Sequence, residues 1–306
     1  MRPVILVPLW SFILIGYFHS SSIISLDIFF QRGIPFMLVI KAFLSTLIMG
    51  IIYIINQIYD RETDALNKKL FFIPSGIVTV KQAKIQIYVL IFIFILGNIY
   101  FKLDWYFIFF NILLLILGIC YSMPPLQFKS RPGLDILVNT IGYGWLSFFI
   151  GWTIYKPVSN EMWIHSLPYF IFMAAVYINT TLIDLEGDKD SGILTTGIFM
   201  GKKIASYISL LITVFTIFSG VLLKDWIIVS IVAVSLPLFI AASLKRNRTT
   251  FLLSVQIPGW IFVVALGIIY PWFLLFIIFI YLLTKFYYKY RFNMDYPRLG
   301  EEKNSR

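Results

Sequence analysis

The chain has 306 residues, of which 59% are hydrophobic and 13% are charged, and its mean hydropathy is +0.87. Soluble domains carry about 25% charged residues, so this composition excludes a soluble globular protein and indicates an integral membrane protein. The single cysteine, Cys120, excludes an intrachain disulfide. The net charge of +10 is spread over short loops rather than gathered in a basic domain, so we expect no nucleic-acid partner.

Apolar runs long enough to cross a membrane, about 20 residues each, recur along the chain. They lie at 3–24, 35–57, 82–101, 104–122, 134–155, 162–183, 203–223, 226–244, 250–270 and 271–290. The last two are divided only by Tyr270-Pro271 and could be one broken element, so we count nine or ten spans and prefer ten. The first run lacks a small-residue cleavage site, so we expect a retained span rather than a signal peptide.

This pattern predicts an all-α fold, a polytopic membrane bundle of nine or ten transmembrane helices. We expect one transmembrane domain over residues 1–292 and a polar cytoplasmic tail over 293–306. The two histidines, His19 and His165, lie in or beside apolar segments without charged neighbours in the sequence. We therefore interpret both as structural rather than as a metal or nucleophile site.

The basic residues predict the orientation of the spans. With the N-terminus inside, 20 of the 25 lysines and arginines fall in inside segments and four in outside loops. This bias follows the positive-inside rule and predicts that both acidic motifs face the cytoplasm. We expect the protein in the inner membrane of a prokaryotic cell. Lys41 lies within a span, about 22 Å from Asn56 at 1.5 Å per residue, and we expect its stem to snorkel to the outer surface.

The first polar motif follows the second apolar run and contains Asn56, Asp60 and Asp64. Residues four apart lie on one face of a helix, one turn above the other. Two carboxylates stacked in this way repel each other, and a divalent cation between them removes the conflict. Oxygen ligands of this kind suit Mg2+. A solvated helix end with scattered charge would give the same pattern.

A second acidic pair, Asp184 and Asp188, has the same spacing and also follows an apolar run. The charge bias predicts that both pairs emerge on the cytoplasmic side. Two acidic helix ends on one side are explained by a diphosphate bridged by magnesium ions, because the metals neutralise both the carboxylates and the phosphates. Two asparagines within spans, Asn139 and Asn179, either support these aspartates or make helix–helix hydrogen bonds.

The third cytoplasmic element runs from Tyr121 to Lys129 and contains Pro124-Pro125. The prolines stop the preceding helix and fix an extended turn, which sets the distance between Tyr121 and Lys129. A positive side chain on the face that carries two metal-binding pairs suits an anionic leaving group.

These three elements together resemble the UbiA superfamily of intramembrane prenyltransferases. The resemblance rests on Asn56-x-x-x-Asp60-x-x-x-Asp64, Asp184-x-x-x-Asp188 and Tyr121-Ser122-x-Pro124-Pro125-x-x-x-Lys129. It extends to Asn67-Lys68, Pro74-Ser75-Gly76 and Gly201-Lys202-Lys203, and covers residues from about 2 to 250.

The resemblance implies a helical bundle around a central cavity and transfer of a prenyl group from a prenyl diphosphate to a hydrophobic acceptor in the lipid bilayer. It implies that Asp60, Asp64, Asp184 and Asp188 hold Mg2+, most simply two ions. It also implies diphosphate contacts from Asn56, Arg61, Lys68 and Lys129, and catalytic roles for Lys129 and Tyr121. The acceptor stays open among an aromatic quinone precursor, a chlorin, an ether-lipid glycerol phosphate and a carotenoid.

Two positions depart from the family pattern. Lys69 stands where a proline commonly follows Asn-Lys, and Thr181 stands where many members have an additional aspartate.

Two other classes compete with prenyl transfer. A transporter would place charges along a path through the bilayer centre. A CDP-alcohol phosphotransferase would carry its aspartates on one continuous stretch, whereas these pairs are about 120 residues apart.

Overall fold

The computed structural model describes residues 3–21, 35–61, 64, 72–293 and 296, and all regular secondary structure within these residues is helical. The all-α prediction is confirmed. The helices are α1 (Val7–Ser21), α2 (Phe36–Tyr59), α3 (Val80–Phe101), α4 (Trp105–Ser122), α5 (Leu134–Trp152), α6 (Asn160–Ile183), α7 (Leu185–Asp190), α8 (Thr196–Leu222), α9 (Trp226–Lys245), α10 (Arg248–Ile269) and α11 (Pro271–Phe292).

Nine helices in the described part of the chain are long and apolar enough to cross a membrane, namely α2 to α6 and α8 to α11. The multi-pass membrane protein expected from composition is confirmed. The last two apolar runs are separate 22-residue helices, because Pro271 begins α11 with a residue that has no N–H to donate. The preferred tenth span depends on α1, which has 15 residues after a 3-10 turn at Pro3–Leu6.

Helix α1 is packed inside the bundle against the end of α5. A Cβ atom on Gly16 would lie 2.0 Å from the carbonyl oxygen of Phe148, and one on Gly151 would lie 1.8 Å from that of Ile13. The two backbones therefore touch at this crossing, and any side chain at either glycine would force the helices apart. This contact explains why a helix of 15 residues can bury most of its side chains.

Helix α5 changes its winding near its centre. It is an α-helix at Leu134–Thr140, a π-helix at Ile141–Ser147 and an α-helix again at Phe148–Trp152. The hydroxyl of Ser147 donates to the carbonyl oxygen of Gly142 at 2.8 Å. π-Helical turns are rare and occur often at functional sites, and this one carries two residues of the central cavity described below.

The helices differ in how much of their surface faces other helices. In α2 and α5, 61% of the residues in the most apolar 18-residue stretch are buried inside the bundle, whereas in α3 only 11% are buried. Helices α2 and α5 therefore form the interior of the bundle, and α3 presents most of its apolar surface outward, as expected of a helix that faces lipid.

Lys41 does not snorkel to the surface as its sequence position suggested. It is only 4% exposed, and its Nζ donates to Asp104 Oδ2 at 2.6 Å and to the carbonyl oxygen of Thr153 at 3.3 Å. Because Asp104 stands at the start of α4 on the same end of the bundle, the lysine has an anionic partner within reach and needs no water.

Candidate active site

Both acidic pairs lie where a long helix ends. Helix α2 ends at Tyr59, and the N–H of Asp60 donates to the carbonyl oxygen of Asn56 at 2.8 Å. The N–H of Asp64 then donates to the carbonyl oxygen of Asp60 at 2.7 Å. In the second pair, the N–H of Asp188 donates to the carbonyl oxygen of Asp184 at 2.9 Å. The helical spacing predicted within each pair is therefore present in the backbone.

The two pairs meet at one cavity of about 420 Å3, enclosed mainly by α2, α4, α5 and α6. Seven of the predicted site residues line it, namely Asn56, Asp60, Asp64, Tyr121, Lys129, Asp184 and Asp188. Arg61 is exposed and is not among the lining residues of the described chain. Lys68 lies outside the described residues, as does Lys69.

Asp60 is held by groups from two elements. The side-chain amide of Asn56 donates to Asp60 Oδ2 at 2.7 Å and to the hydroxyl of Ser122 at 3.3 Å. The Nζ of Lys129 forms an ion pair with the other carboxylate oxygen, Oδ1. The segment that follows α4 is thereby fastened to the end of α2, and the orientation of the Asp60 carboxylate is fixed.

Lys129 occupies a 3-10 turn, Phe128–Ser130, just after the proline turn, and it is 7% exposed. Burial lowers the pKa of Lys129 to about 8, and the negative charge of Asp188 opposes this shift. The lysine therefore contacts Asp60 of the first pair and is also in the electrostatic field of Asp188 of the second. It stays protonated at neutral pH, and its charge is poorly screened because little water surrounds it.

A buried carboxylate, Asp135, joins the start of α5 to the start of α8. Its Oδ2 accepts from the backbone N–H of Thr196 at 2.7 Å, and its Oδ1 accepts from the N–H of Ile136 at 2.9 Å and from the Thr196 hydroxyl. A negative charge at the first turn of a helix is favourable. Asp135 also lines the cavity. Its bonds to Thr196 fix the start of α5, which follows Lys129, relative to the start of α8, which follows Asp188.

The two asparagines left open by the sequence have different roles. Asn139 lines the cavity. The Tyr121 side chain forms hydrogen bonds with the side chains of Asn139 and Tyr177. Asn179 instead donates to the hydroxyl of Ser254 at 2.9 Å, which is a buried contact between α6 and α10. Asn139 therefore belongs to the surroundings of the site, and Asn179 makes a helix–helix hydrogen bond.

Much of the remaining cavity wall is apolar or aromatic, and these side chains include Met49, Ile52, Tyr53, Leu114, Leu117, Val138 and Tyr143. Polar side chains also line the cavity, namely Ser122, Asp135, Asn139, Thr180, Thr181 and Thr195. One end of the cavity thus presents carboxylates and a lysine, and the other presents hydrocarbon and aromatic rings. With cations between the carboxylates and the head group, this division suits an amphiphilic molecule that has an anionic head and an apolar tail.

A model of the UbiA prenyltransferase family matches residues 9–255 of the chain. The chain belongs to this family. It is 26% identical over 160 residues to the bacteriochlorophyll synthase 34 kDa chain of Chloroflexus aurantiacus. The aligned region covers 52% of this chain and 51% of that protein. It is 27% identical over 186 residues to digeranylgeranylglyceryl phosphate synthase of Sulfurisphaera tokodaii, which is 58% of this chain and 64% of that protein. The match thus spans less than two thirds of either relative.

The fold agrees with a solved structure over almost the whole of both chains. A UbiA homologue from Archaeoglobus fulgidus, bound to GPP and Mg2+, has a TM-score of 0.64 and 22% identity, and the alignment covers 91% of this chain and 96% of that chain. At this identity the likeness shows a common fold.

Thr181, one of the departures from the UbiA pattern, lies where α6 meets the start of α8. It lines the cavity, and its hydroxyl donates to the carbonyl oxygen of Ile178 at 2.7 Å. A Cβ on Gly197 would lie 2.7 Å from that hydroxyl oxygen. The start of α8 therefore packs directly on Thr181, in the place where many family members have a carboxylate.

Proposed function

We propose that this protein transfers a prenyl group from a prenyl diphosphate to a lipophilic acceptor within the membrane and releases diphosphate. The observation that carries the proposal is that both aspartate pairs, Tyr121 and Lys129 line a single cavity whose other end is apolar. Membership of the UbiA prenyltransferase family supports it. So does the solved homologue of the same fold that is bound to GPP and Mg2+.

The donor set of the site fits Mg2+. Asp60, Asp64, Asp184 and Asp188 offer only oxygen, and Mg2+ typically binds one or two carboxylates together with substrate phosphates and water. Among the described residues, no three histidine, cysteine, aspartate or glutamate side chains converge to hold one ion. We propose that each aspartate pair would hold one ion, two in all. When bound, the ions would neutralise the charge that builds up on the diphosphate.

Lys129 is the protein group best suited to the leaving diphosphate. Its charge is buried beside the carboxylates, so interaction with an anion is strong and needs little reorganisation. Asn56 contributes indirectly, because it orients Asp60 and is itself held by Ser122. We also propose that Arg61 and Lys68 contact the diphosphate when it is bound.

Breaking the C–O bond of the donor leaves an allylic cation in the middle of the cavity. Tyr121 interacts there with Tyr177 and Asn139, and the face of an aromatic ring stabilises a nearby cation. The apolar wall keeps water from the cation, so that the acceptor forms the new bond to it instead and gives up a proton, which the released diphosphate can accept. An aromatic quinone precursor, a chlorin, an ether-lipid glycerol phosphate and a carotenoid are the acceptor classes to be tested.

We further propose that the acidic end of the bundle faces the cytoplasm, in the inner membrane of a prokaryotic cell. The excess of basic residues in the inside segments supports this orientation. With Cys120 replaced, single reporter cysteines near Lys129 and Lys189 should react only from the cytoplasmic side, and those near Lys156 and Lys224 only from outside. Labelling of the first two from outside would contradict the orientation.

The proposed activity is tested with purified protein in lipid nanodiscs. Diphosphate release from a prenyl diphosphate, in the presence of acceptor lipids, should require Mg2+ or Mn2+ and stop when a chelator is added. Mass spectrometry of lipid extracts from cells with and without the protein identifies the acceptor. If no prenyl diphosphate yields diphosphate with any of the four acceptor classes, the proposal is wrong.

A further inference from the structure

One side of the cavity, next to the second aspartate pair, is lined by three threonines. Thr180 and Thr181 lie on α6, about one turn after Tyr177 and one turn before Asp184. Thr195 is the residue that caps the start of α8. All three side chains line the cavity. We call Thr180, Thr181 and Thr195 the threonine wall.

The hydroxyl hydrogens of two of these threonines are used within α6. Thr180 Oγ1 donates to the carbonyl oxygen of Val176 at 3.0 Å, and Thr181 Oγ1 donates to that of Ile178 at 2.7 Å. A threonine hydroxyl has one hydrogen to donate and two lone pairs that can accept. Because both hydrogens are bonded to the helix backbone, these two hydroxyls can only accept a hydrogen bond from a molecule in the cavity.

Thr195 has the opposite capacity. Its Oγ1 accepts from the backbone N–H of Ile198 at 3.4 Å, so its own hydrogen can be donated into the cavity. The threonine wall therefore offers acceptors from α6 and a donor from α8. A hydroxyl group matches this pattern, because it both donates and accepts. A carboxylate or phosphate oxygen without a hydrogen can only accept, and a hydrocarbon can do neither.

The two sides of the threonine wall are held together by close packing and a buried carboxylate. A Cβ on Gly197 would lie 2.7 Å from Thr181 Oγ1, so the start of α8 lies directly against α6. The N–H of Thr196, the residue after Thr195, donates to Asp135 Oδ2 at 2.7 Å. Asp135 also lines the cavity, and its negative charge disfavours a second anion beside the wall.

We propose that the threonine wall binds a hydroxyl group of the acceptor beside the diphosphate. The acceptor then carries a hydroxyl close to its reacting atom, either on an aromatic ring or on a glycerol, rather than a chlorin carboxylate or a carotenoid hydrocarbon. This inference rests on the proposed prenyl transfer and names the chemical class of its second substrate.

The test measures acceptor binding while the donor site is filled. The protein in nanodiscs is loaded with Mg2+ and the non-hydrolysable thiolodiphosphate analogue of geranyl diphosphate. Dissociation constants are measured for a hydroquinone, a glycerol phosphate ether lipid with one free hydroxyl, a chlorin carboxylate and a carotenoid. The O-methyl ethers of the first two are measured as well, because they cannot donate the hydrogen bond. Turnover of geranyl diphosphate is measured separately with each of the four acceptors.

Four variants are compared with the wild type. Thr180→Val and Thr181→Val remove one hydroxyl each and keep the shape of the side chain, whereas Thr181→Ser keeps the hydroxyl. Thr213→Val is the matched control in α8. The hydroxyl of Thr213 also donates to its own helix backbone, at 2.8 Å to Ser209, and this buried residue is not among the lining residues of either pocket in the described chain.

We expect the wild type to bind at least one hydroxyl probe about tenfold or more tightly than its methyl ether. Thr180→Val and Thr181→Val should each weaken binding of that hydroxyl probe about fivefold, as expected for the loss of one neutral hydrogen bond, and leave binding of the ether unchanged. Thr181→Ser and Thr213→Val should keep the wild-type ratio. The KM for geranyl diphosphate should stay the same in all four variants.

The two hydroxyl probes identify the source of the hydroxyl. Discrimination with the hydroquinone would support a phenolic acceptor, and discrimination with the ether lipid would support an alcohol. Tighter binding of the chlorin or the carotenoid than of both hydroxyl probes would overturn the inference. So would valine variants that keep the wild-type ratio between hydroxyl probe and ether, and if Thr181→Val does not fold, Thr180→Val decides.

Failure of this inference and failure of the proposed transfer give different results. Turnover with the chlorin or the carotenoid alone would support prenyl transfer and contradict hydroxyl recognition. Hydroxyl-selective binding that depends on the threonine wall, without turnover of geranyl diphosphate or a longer prenyl diphosphate, would count against the transfer and support the recognition.

Discussion

The two ends of the bundle use aspartates at helix ends in different ways. At the acidic end, formed by Asp60, Asp64, Asp184 and Asp188, the carboxylates line a cavity. At the opposite end, Asp104 and Asp225 each accept a backbone N–H at the start of a helix with one oxygen and pair with a side chain through the other. The same residue type therefore lines a cavity at one end and joins helices at the other.

The opposite end is held together by two clusters that join several helices. Asp104 Oδ1 accepts from the N–H of Phe107 at 2.9 Å, and its Oδ2 binds Lys41. Asp225 Oδ1 accepts from the N–H of Ile228 at 3.2 Å, and its Oδ2 lies 3.1 Å from His19 Nε2. Burial alone would raise the pKa of Asp225, but the hydrogen bond and charge of His19 lower it below its usual value.

The largest effect should follow from substitution of a carboxylate at the acidic end. Asp184→Ala should reduce turnover by more than about 10³-fold, since it removes one of the carboxylates that we propose bind Mg2+ beside the charged transition state. The thermal midpoint in detergent should stay close to that of the wild type. Turnover and thermal unfolding are measured on the same preparation, with Asp104→Ala as the control that lowers stability instead. Full activity of Asp184→Ala would remove this residue from the site.

Lys129→Ala should have the next largest effect. We expect kcat to fall by about 10²–10³-fold, because the lost charge stabilises the transition state more than the bound substrate. Lys129→Arg should recover only part of the loss, since the shape and hydrogen-bond geometry of guanidinium differ from those of an ammonium group.

The measurement for Lys129 is kcat and KM for the prenyl diphosphate at saturating Mg2+ in all three proteins. If Lys129 contributed only to the positive charge of the inside segments, kcat of Lys129→Ala would stay within about twofold of the wild-type value. A twofold change is well under 1 kcal/mol in the activation barrier.

Asp225→Ala should destabilise the opposite end of the bundle without changing the catalytic step. Removal of one member of a buried pair costs about 3 kcal/mol, and here it leaves His19 without its anionic partner and α9 without its capping group. We expect a lower thermal midpoint and, per folded molecule, unchanged kcat. A loss of kcat in protein shown to be folded would mean that the two ends are coupled.

The smallest effect should come from Ser122→Ala, which tests how the Asp60 carboxylate is held at the acidic end. The Ser122 hydroxyl accepts from Asn56, which in turn holds Asp60. Loss of one such hydrogen bond costs about 1 kcal/mol, so the Mg2+ concentration for half-maximal activity should rise about fivefold while kcat changes little. Ser20→Ala is the matched control at the opposite end, because among the described residues that hydroxyl donates to a nearby backbone carbonyl within α1. An equal effect of both substitutions would contradict the assigned role of Ser122.

Most of the candidate site could be predicted because its motifs are local. The spacing of four residues within Asn56, Asp60 and Asp64, and within the second pair, follows from helical periodicity. The proline turn before Lys129 is equally local, and α4 does end at Ser122 as expected. Arg61 marks the limit of such reasoning, since it is exposed and is not among the lining residues of the cavity. Lys68 lies outside the described residues, and the roles of Arg61 and Lys68 stay predictions.

The contacts that complete the site could not be predicted, because their partners are far apart in the chain. Asp135 and Thr196 are 61 residues apart, and Tyr53 and Tyr143 are 90 apart. Each of these residues is unremarkable in the sequence, as a polar or aromatic side chain at the end or in the middle of an apolar run. Which one meets which depends on how each helix is rotated about its axis.

By itself, the sequence determined that this is an all-helical membrane protein with two acidic pairs and a basic turn, because hydropathy and helical periodicity are properties of neighbouring residues. Only the tertiary structure decided that Lys41 is buried against Asp104, that Asn139 rather than Asn179 faces the cavity, and that Asp135 bonds to Thr196. Helices that are apolar on most of their surface can pack in many rotations and crossings. The choice among them is made by close backbone contacts, such as that between Gly16 and Phe148, and by the pairing of distant polar groups.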